Sequence, residues 1–167
     1  MSLLLNGAKT MTIAGTEMQC LEIYTGEAYT LPIAFTDANG NPANASVPNN
    51  WQLNTSANFY TITDVIYNSS STEVNIGNLI PLSPQPPSAN YNISANWISR
   101  NAGTAYLYIG NNITNNPANG VPTVSLANSA ANSVLCLVTL TITKQSDVSN
   151  ALVNINREPI GFIVRYQ

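Results

Sequence analysis

Ala28-Tyr29-Thr30-Leu31-Pro32-Ile33-Ala34-Phe35-Thr36-Asp37-Ala38-Asn39-Gly40 decides the fold class. Tyr29, Leu31, Ile33 and Phe35 occupy alternate positions, so an extended backbone carries all four on one face. Pro32 cannot donate to a ladder, which calls for a bulge or an edge position there. Asp37-Ala38-Asn39-Gly40 then reads as a reversal, with Asn and Gly supplying the positive φ of a tight turn.

The same period of two extends in both directions, and no amphipathic helix competes with it. It predicts strands at Thr10–Ala14, Glu17–Tyr24, Ala28–Thr36, Trp51–Asn54, Tyr60–Tyr67, Thr72–Ile76, Tyr91–Ile98, Ala105–Ile109, Val121–Leu126, Val134–Thr143, Leu152–Asn156 and Ile160–Tyr166. In Tyr91–Ile98 the residues Tyr91, Ile93, Ala95 and Trp97 alternate with Asn92, Ser94 and Asn96, giving one dry and one wet face. Val134–Thr143 starts apolar on both faces, which predicts a central strand. Asn119-Gly120 and Gly26 are weaker turn signals. Pro81-Leu82-Ser83-Pro84-Gln85-Pro86-Pro87 reads as an extended crossing between sheets. Asn111–Gly120 reads as an exposed loop. Short strands separated by turns make an antiparallel β-sandwich with long Asn- and Pro-rich loops, a single domain over residues 1–167. A chain of this length buries about 68–70% of its unfolded surface, enough for a core without metals or disulfides.

Composition narrows the function. There is no histidine, and only 8% of the chain is charged, against roughly 25% in ordinary soluble domains. Asparagine alone outnumbers Asp, Glu, Lys and Arg together, while 44% of the residues are hydrophobic. Monomeric proteins solvate themselves largely with charge. A surface of Asn, Ser and Thr with apolar residues between them suits a part that neighbours will cover. Catalysis draws on His, Asp, Glu and Lys, so a structural or binding role is expected over an enzymatic one. A net charge of −3 and five basic residues scattered from Lys9 to Arg165 give no patch for nucleic acid.

Cys20 and Cys136 each lie among apolar neighbours in a predicted strand, and both are expected to be buried, reduced thiols. That fits synthesis in a reducing cytosol. MSLLLNGAKT is too short and too uncharged for a signal peptide, and no apolar stretch approaches the ~20 residues of a membrane span. The chain is expected to be soluble and unprocessed, with no membrane partner.

Two facing carboxylates make a glycosidase, but Glu17, Glu22, Glu27, Asp37, Asp64, Glu73, Asp147 and Glu158 each fall at predicted turns or strand edges. Asp37-Ala38-Asn39-Gly40-Asn41 resembles the start of a calcium loop, yet Pro48 stands where the bidentate Glu belongs, so it reads as a turn. Asn44-Ala45-Ser46, Asn54-Thr55-Ser56, Asn68-Ser69-Ser70, Asn92-Ile93-Ser94 and Asn112-Ile113-Thr114 fit the glycosylation pattern, as chance allows in a chain this rich in Asn, Ser and Thr. Trp51, Trp97 and the tyrosines could stack on sugars, but alternation puts Tyr29 and Trp97 on core faces. Tyr106 and Tyr108 share one face of a short strand and suit an interface or a glycan. No catalytic, cofactor-binding or metal residues are assigned.

Ile23–Pro42 resembles the opening of the immunoglobulin-like domain at the N-terminus of phage upper baseplate and related tail proteins. There a G-x-x-Y-x-L strand leads through T-D-x-N-G-x-P; here these are Gly26-Glu27-Ala28-Tyr29-Thr30-Leu31 and Thr36-Asp37-Ala38-Asn39-Gly40-Asn41-Pro42. The end of the chain is similar to that domain's closing hairpin. Leu137–Thr143 would go out and Gly161-Phe162-Ile163-Val164 return after an Arg157-Glu158-Pro159 turn. Asn49–Asn132 departs from the family's compact centre, being longer and richer in Asn and Pro.

The resemblance implies an immunoglobulin-like sandwich and a structural role in a tailed-phage virion, made in the host cytoplasm, at the tail, baseplate or fibre attachment. The expected partners are other virion structural proteins and further copies of the chain, with Tyr106, Tyr108, Tyr166 and Asn111–Gly120 as contact points. A capsid decoration protein is the alternative within that class, and a glycan-binding module the alternative outside it.

Overall fold

The computed structural model describes residues 2–24, 26–46, 48–67, 73–81, 92–110, 133–145 and 152–165. Ten strands account for most of them, and no helix occurs among the described residues. They are β1 (Ser2–Leu5), β2 (Lys9–Ile13), β3 (Thr16–Tyr24), β4 (Tyr29–Thr36), β5 (Gln52–Tyr67), β6 (Glu73–Pro81), β7 (Ile93–Ser99), β8 (Thr104–Ile109), β9 (Ser133–Gln145) and β10 (Leu152–Arg165). The strand expected at 121–126, the 82–87 part of the proline run, the 111–120 loop, the 68–70 triplet and Tyr166 lie outside the described residues.

Two sheets form. One has the order β1-β4-β8-β7; the other closes on itself as β10-β3-β2-β6-β5-β9. The four-stranded sheet is antiparallel throughout. The closed one is mixed, because β10 runs parallel to β3 and β2 parallel to β6. The expectation of antiparallel pairing alone therefore fails at these two seams. Alternation tells which face a strand buries, but it carries no signal for the direction of the neighbour.

One core fills the space between the sheets. Leu3, Leu5, Ile33, Phe35, Leu107 and Ile109 come from the four-stranded side, and Phe59, Val138, Leu140, Ile142, Phe162 and Val164 from the barrel. All three phenylalanines of the chain lie here, each at most 1% exposed, and burying each contributes roughly 1.5–3 kcal/mol. A second, smaller core occupies the barrel: Met11, Ile13, Met18, Cys20, Leu135 and Ile163. Gly161 is needed there, since a Cβ on it would stand 2.7 Å from Cys20 Sγ and 2.9 Å from Ile13 Cδ1.

β9 sends Val134, Cys136 and Val138 into the first core and Leu135 into the second. It pairs with β5 on one side and β10 on the other, which makes it the central strand its two apolar faces predicted. The cysteines sit in different cores, both free and buried. Burial pushes the Cys20 thiol up to about 11, partly offset by a backbone hydrogen bond at Gly161, and pushes the Cys136 thiol up as well.

The three prolines in the described strands stand where pairing is one-sided; Pro81, at the end of β6, has only Tyr60 of β5 beside it. β1 reaches only to Ile33 of β4, so Pro32 has β8 alone beside it. Likewise β3 joins β10 only from Ile160, leaving Pro159 paired to β9 alone. The expected Arg157-Glu158-Pro159 turn does not form. β10 runs straight through it, with Arg157 opposite Thr141 and Pro159 opposite Thr139. Proline marked an open strand flank, which has the same sequence signature as a turn. The strands expected separately at 51–54 and 60–67 are likewise one, β5.

The Asp37 reversal forms, but Gly40 alone takes the positive φ expected of Asn39 and Gly40. Asp37 N–H donates to Asn41 O and Gly40 N–H to Asp37 O, with Gly40 at φ +82°. The chain returns through a single bridge, Thr36 to Pro42, and then crosses as a loop.

Candidate functional site

Charge divides the two sheets. β1, β4, β7 and β8 contain no Asp, Glu, Lys or Arg at all. Lys9, Glu17, Glu22, Asp64, Glu73, Lys144, Arg157, Glu158 and Arg165 all lie on barrel strands. One side of the four-stranded sheet packs on the core, and no strand lies over its other side among the described residues.

That outer face follows from the register. Tyr106 stands between Pro32 and Asn96, and Tyr108 between Thr30 and Ser94. One step along, Leu4 pairs with Ala34 and Ala34 with Thr104. Ile98 falls in the register shift of β7 beside Thr104, at the same level as Leu4. Leu4 is 67% exposed and Ile98 65%; they flank the face at its two opposite edges. The tyrosine bodies are half-buried among their neighbours. Cross-strand pairs of this kind stiffen a sheet, and Ser2 Oγ and Thr36 Oγ1, 2.7 Å apart, add one at the corner.

The edges of this sheet are held by the barrel. Gln19 of β3 accepts from Leu5 N–H at 2.8 Å and donates to Leu3 O at 2.6 Å. Its side-chain amide thus acts as one peptide unit of a neighbouring strand for β1. On the other edge Thr55 Oγ1 donates to Ile93 O of β7 at 3.2 Å. Trp97 Nε1 donates to Trp51 O at 3.0 Å, and Arg100 donates to the same oxygen while its guanidinium lies 5.7 Å from the Trp97 ring centre. Phe35 meets Trp97 with ring centres 5.4 Å apart.

The sequence-derived candidates fall as follows. Tyr106 and Tyr108 come together on the outer face. Trp97 and Tyr29 pack against the core, as alternation predicted, and Trp51 joins them. The Tyr29 hydroxyl donates to Glu27 Oε2 at 2.6 Å and accepts from Tyr24 N–H. Its pKa is raised, first by burial and then by the Glu27 carboxylate. Asp37 Oδ1 accepts from the N–H groups of Asn39 and Asn41. Those bonds, Asn41 foremost, lower its pKa and commit the carboxylate to the turn.

Glu17 and Glu158 line one cleft of about 250 Å³ with Thr10, Met18, Gln19 and Pro159, where β3 and β10 diverge. Glu158 Oε1 accepts from Asn156 Nδ2 at 2.5 Å. Glu17 and Glu158 both stand where their strands are paired on one side only, Glu17 with Thr12 of β2 and Glu158 with Leu140 of β9, as the edge positions expected of them require. No group of three or more metal-ligating side chains occurs among the described residues.

Sequence reasoning missed β1 and both exposed flanks. Ser2-Leu3-Leu4-Leu5 shows no apolar–polar alternation to reveal the strand; only the fold separates Leu3 and Leu5, which are buried, from Leu4, which is not. No protein-family model matches the chain, and no curated protein matches it in sequence.

Proposed function

We propose that this chain is a structural protein that works by assembly, a component of a tailed-phage virion at the tail, baseplate or fibre attachment. The observation that carries the reading is the charge-free four-stranded sheet with Tyr106 and Tyr108 at its middle. Specific interfaces are depleted in Lys, Glu and Asp and enriched in Tyr, and uncharged surface loses little solvation when covered. The virion placement rests on the likeness of 23–42 to phage baseplate domains. The turn at Asp37–Asn41 and the shared core between two sheets are compatible with the immunoglobulin-like sandwich which that likeness implies. Buried free thiols fit production in the host cytoplasm.

Composition analysis of purified particles tests the placement: the chain is expected at a fixed stoichiometry, and its absence overturns it. A glycan-binding module is the second reading, favoured by the same two tyrosines standing side by side on an exposed face. On a glycan array the assembly reading expects no binding; a signal that Tyr106→Ala abolishes would replace it with the second.

A further inference from the structure

The charge-free face is self-complementary in outline, and we infer that it pairs with the same face of a second copy, about a twofold axis parallel to the strands. The inference rests on the assembly reading and names its partner.

Turning the sheet over about such an axis exchanges its left and right edges and leaves each level along the strands unchanged. Leu4 and Ile98 stand at one level on opposite edges, β1 and β7. The operation therefore lays Leu4 of each copy on Ile98 of the other, twice per dimer. β8 comes over the second copy's β4. Tyr106 shares its level with Pro32 and Tyr108 shares its level with Thr30, so each ring meets a small or flat side chain, and rings do not collide with rings. A twofold contact must be self-complementary in this way, residue i on j and j on i.

Charge and size agree. A face with no charged strand residue meets itself without like-charge repulsion or unpaired buried ions. The four strands differ in length, with β1 the shortest at four residues and β4 the longest at eight. At about 3.4 Å per residue and about 4.8 Å between strands they cover roughly 400 Å² per copy and 800 Å² for the pair, in the range of weak, transient interfaces. A reversible dimer is expected, with the two sheets stacked about 10 Å apart.

Sedimentation equilibrium from low to high micromolar concentration tests it, on the whole chain and on two variants at exposed positions, Leu4→Lys and Ile98→Glu, each first shown to keep the parent circular dichroism. The parent chain is expected to dimerise. Each variant alone sets an unpaired charge against an aliphatic side chain at both contacts, which weakens the dimer by about 100-fold or more. An equimolar mixture of the two is expected to dimerise again, because the mixed pair has one Lys–Glu contact and one Leu–Ile contact.

Variants that still dimerise alone, or a mixture that stays monomeric, overturn the stated geometry. A parent chain that is monomeric yet stoichiometric in purified particles overturns self-pairing and leaves the assembly reading standing; one monomeric and absent from particles overturns both. Glycan binding lost in Tyr106→Lys would make the face a sugar platform and overturn self-pairing.

Discussion

The four-stranded sheet and the barrel share a core but meet solvent in opposite ways. In the barrel, Lys9, Glu17, Glu22, Lys144 and Arg157 present charge on the exposed surface. On the sheet, the outer face has Thr, Ser, Asn and Tyr with two bare aliphatic flanks and no ion. A low average charge thus hides a strong division of it. The sheet is also the dependent partner. It borrows half its core from β5, β9 and β10, and barrel residues Gln19 and Thr55 bond to its edge strands. The barrel has a second core of its own.

That dependence is broken most severely at β10, where Phe162 faces the sheet and Ile163 the barrel interior. Phe162→Ala is expected to cost about 3–5 kcal/mol. Since β10 serves both cores, urea unfolding followed by tryptophan fluorescence and by far-ultraviolet dichroism should give coincident transitions. Separate transitions would make the sheet and barrel independent units.

Alkaline pH separates the cores by their thiols. In the fold Cys20 ionises near 11, against 9.0 for a free thiol. The unfolded chain therefore loses this proton first, and stability is full below pH 9 and falls as pH rises towards 11. The expected loss is on the order of 2 kcal/mol from Cys20, with Cys136 acting in the same direction from the other core. Cys20→Ala should flatten the decline without removing it, as read from thermal unfolding across that range.

Gln19→Ala sharpens the comparison at the sheet's edge. It leaves Leu3 O and Leu5 N–H without their partner, at about 1–3 kcal/mol. Hydrogen exchange should speed at Leu5 and remain slow in β9. The smallest effect is expected at the Asp37 turn. Its carboxylate is stabilised by two backbone N–H groups, so the contribution is present above pH 3.8 and lost as pH falls through the lower folded value. Asp37→Asn should make the acid limb of the stability profile slightly shallower.

The faces of single strands were legible in the sequence, and the partners of strands were not. Tyr29, Leu31, Ile33 and Phe35 declared one face of β4, and the doubled apolar pattern of β9 declared a strand between two cores. Nothing in Thr16–Tyr24 announces that one flank pairs antiparallel with β2 and the other parallel with β10. β1 was invisible because four residues carry little periodicity and its outer edge is held by Gln19, a contact made across the fold. Tyr106 and Tyr108 were readable as a pair on one face. That the face bears no charge became visible only when strands distant in sequence were placed side by side, because composition averages the sheet with the barrel.

Light scattering of the intact chain, read beside one charged substitution in each region, bears most directly on the sheet as the assembly surface. Tyr106→Lys puts a cation at the centre of the uncharged face, and Lys144→Glu reverses an exposed charge on the barrel. If the sheet is the contact, the parent and the Lys144 variant keep the same oligomeric mass and the Tyr106 variant falls to the mass of one chain, 17.8 kDa. Equal masses for all three, or loss of association in the Lys144 variant alone, would contradict it.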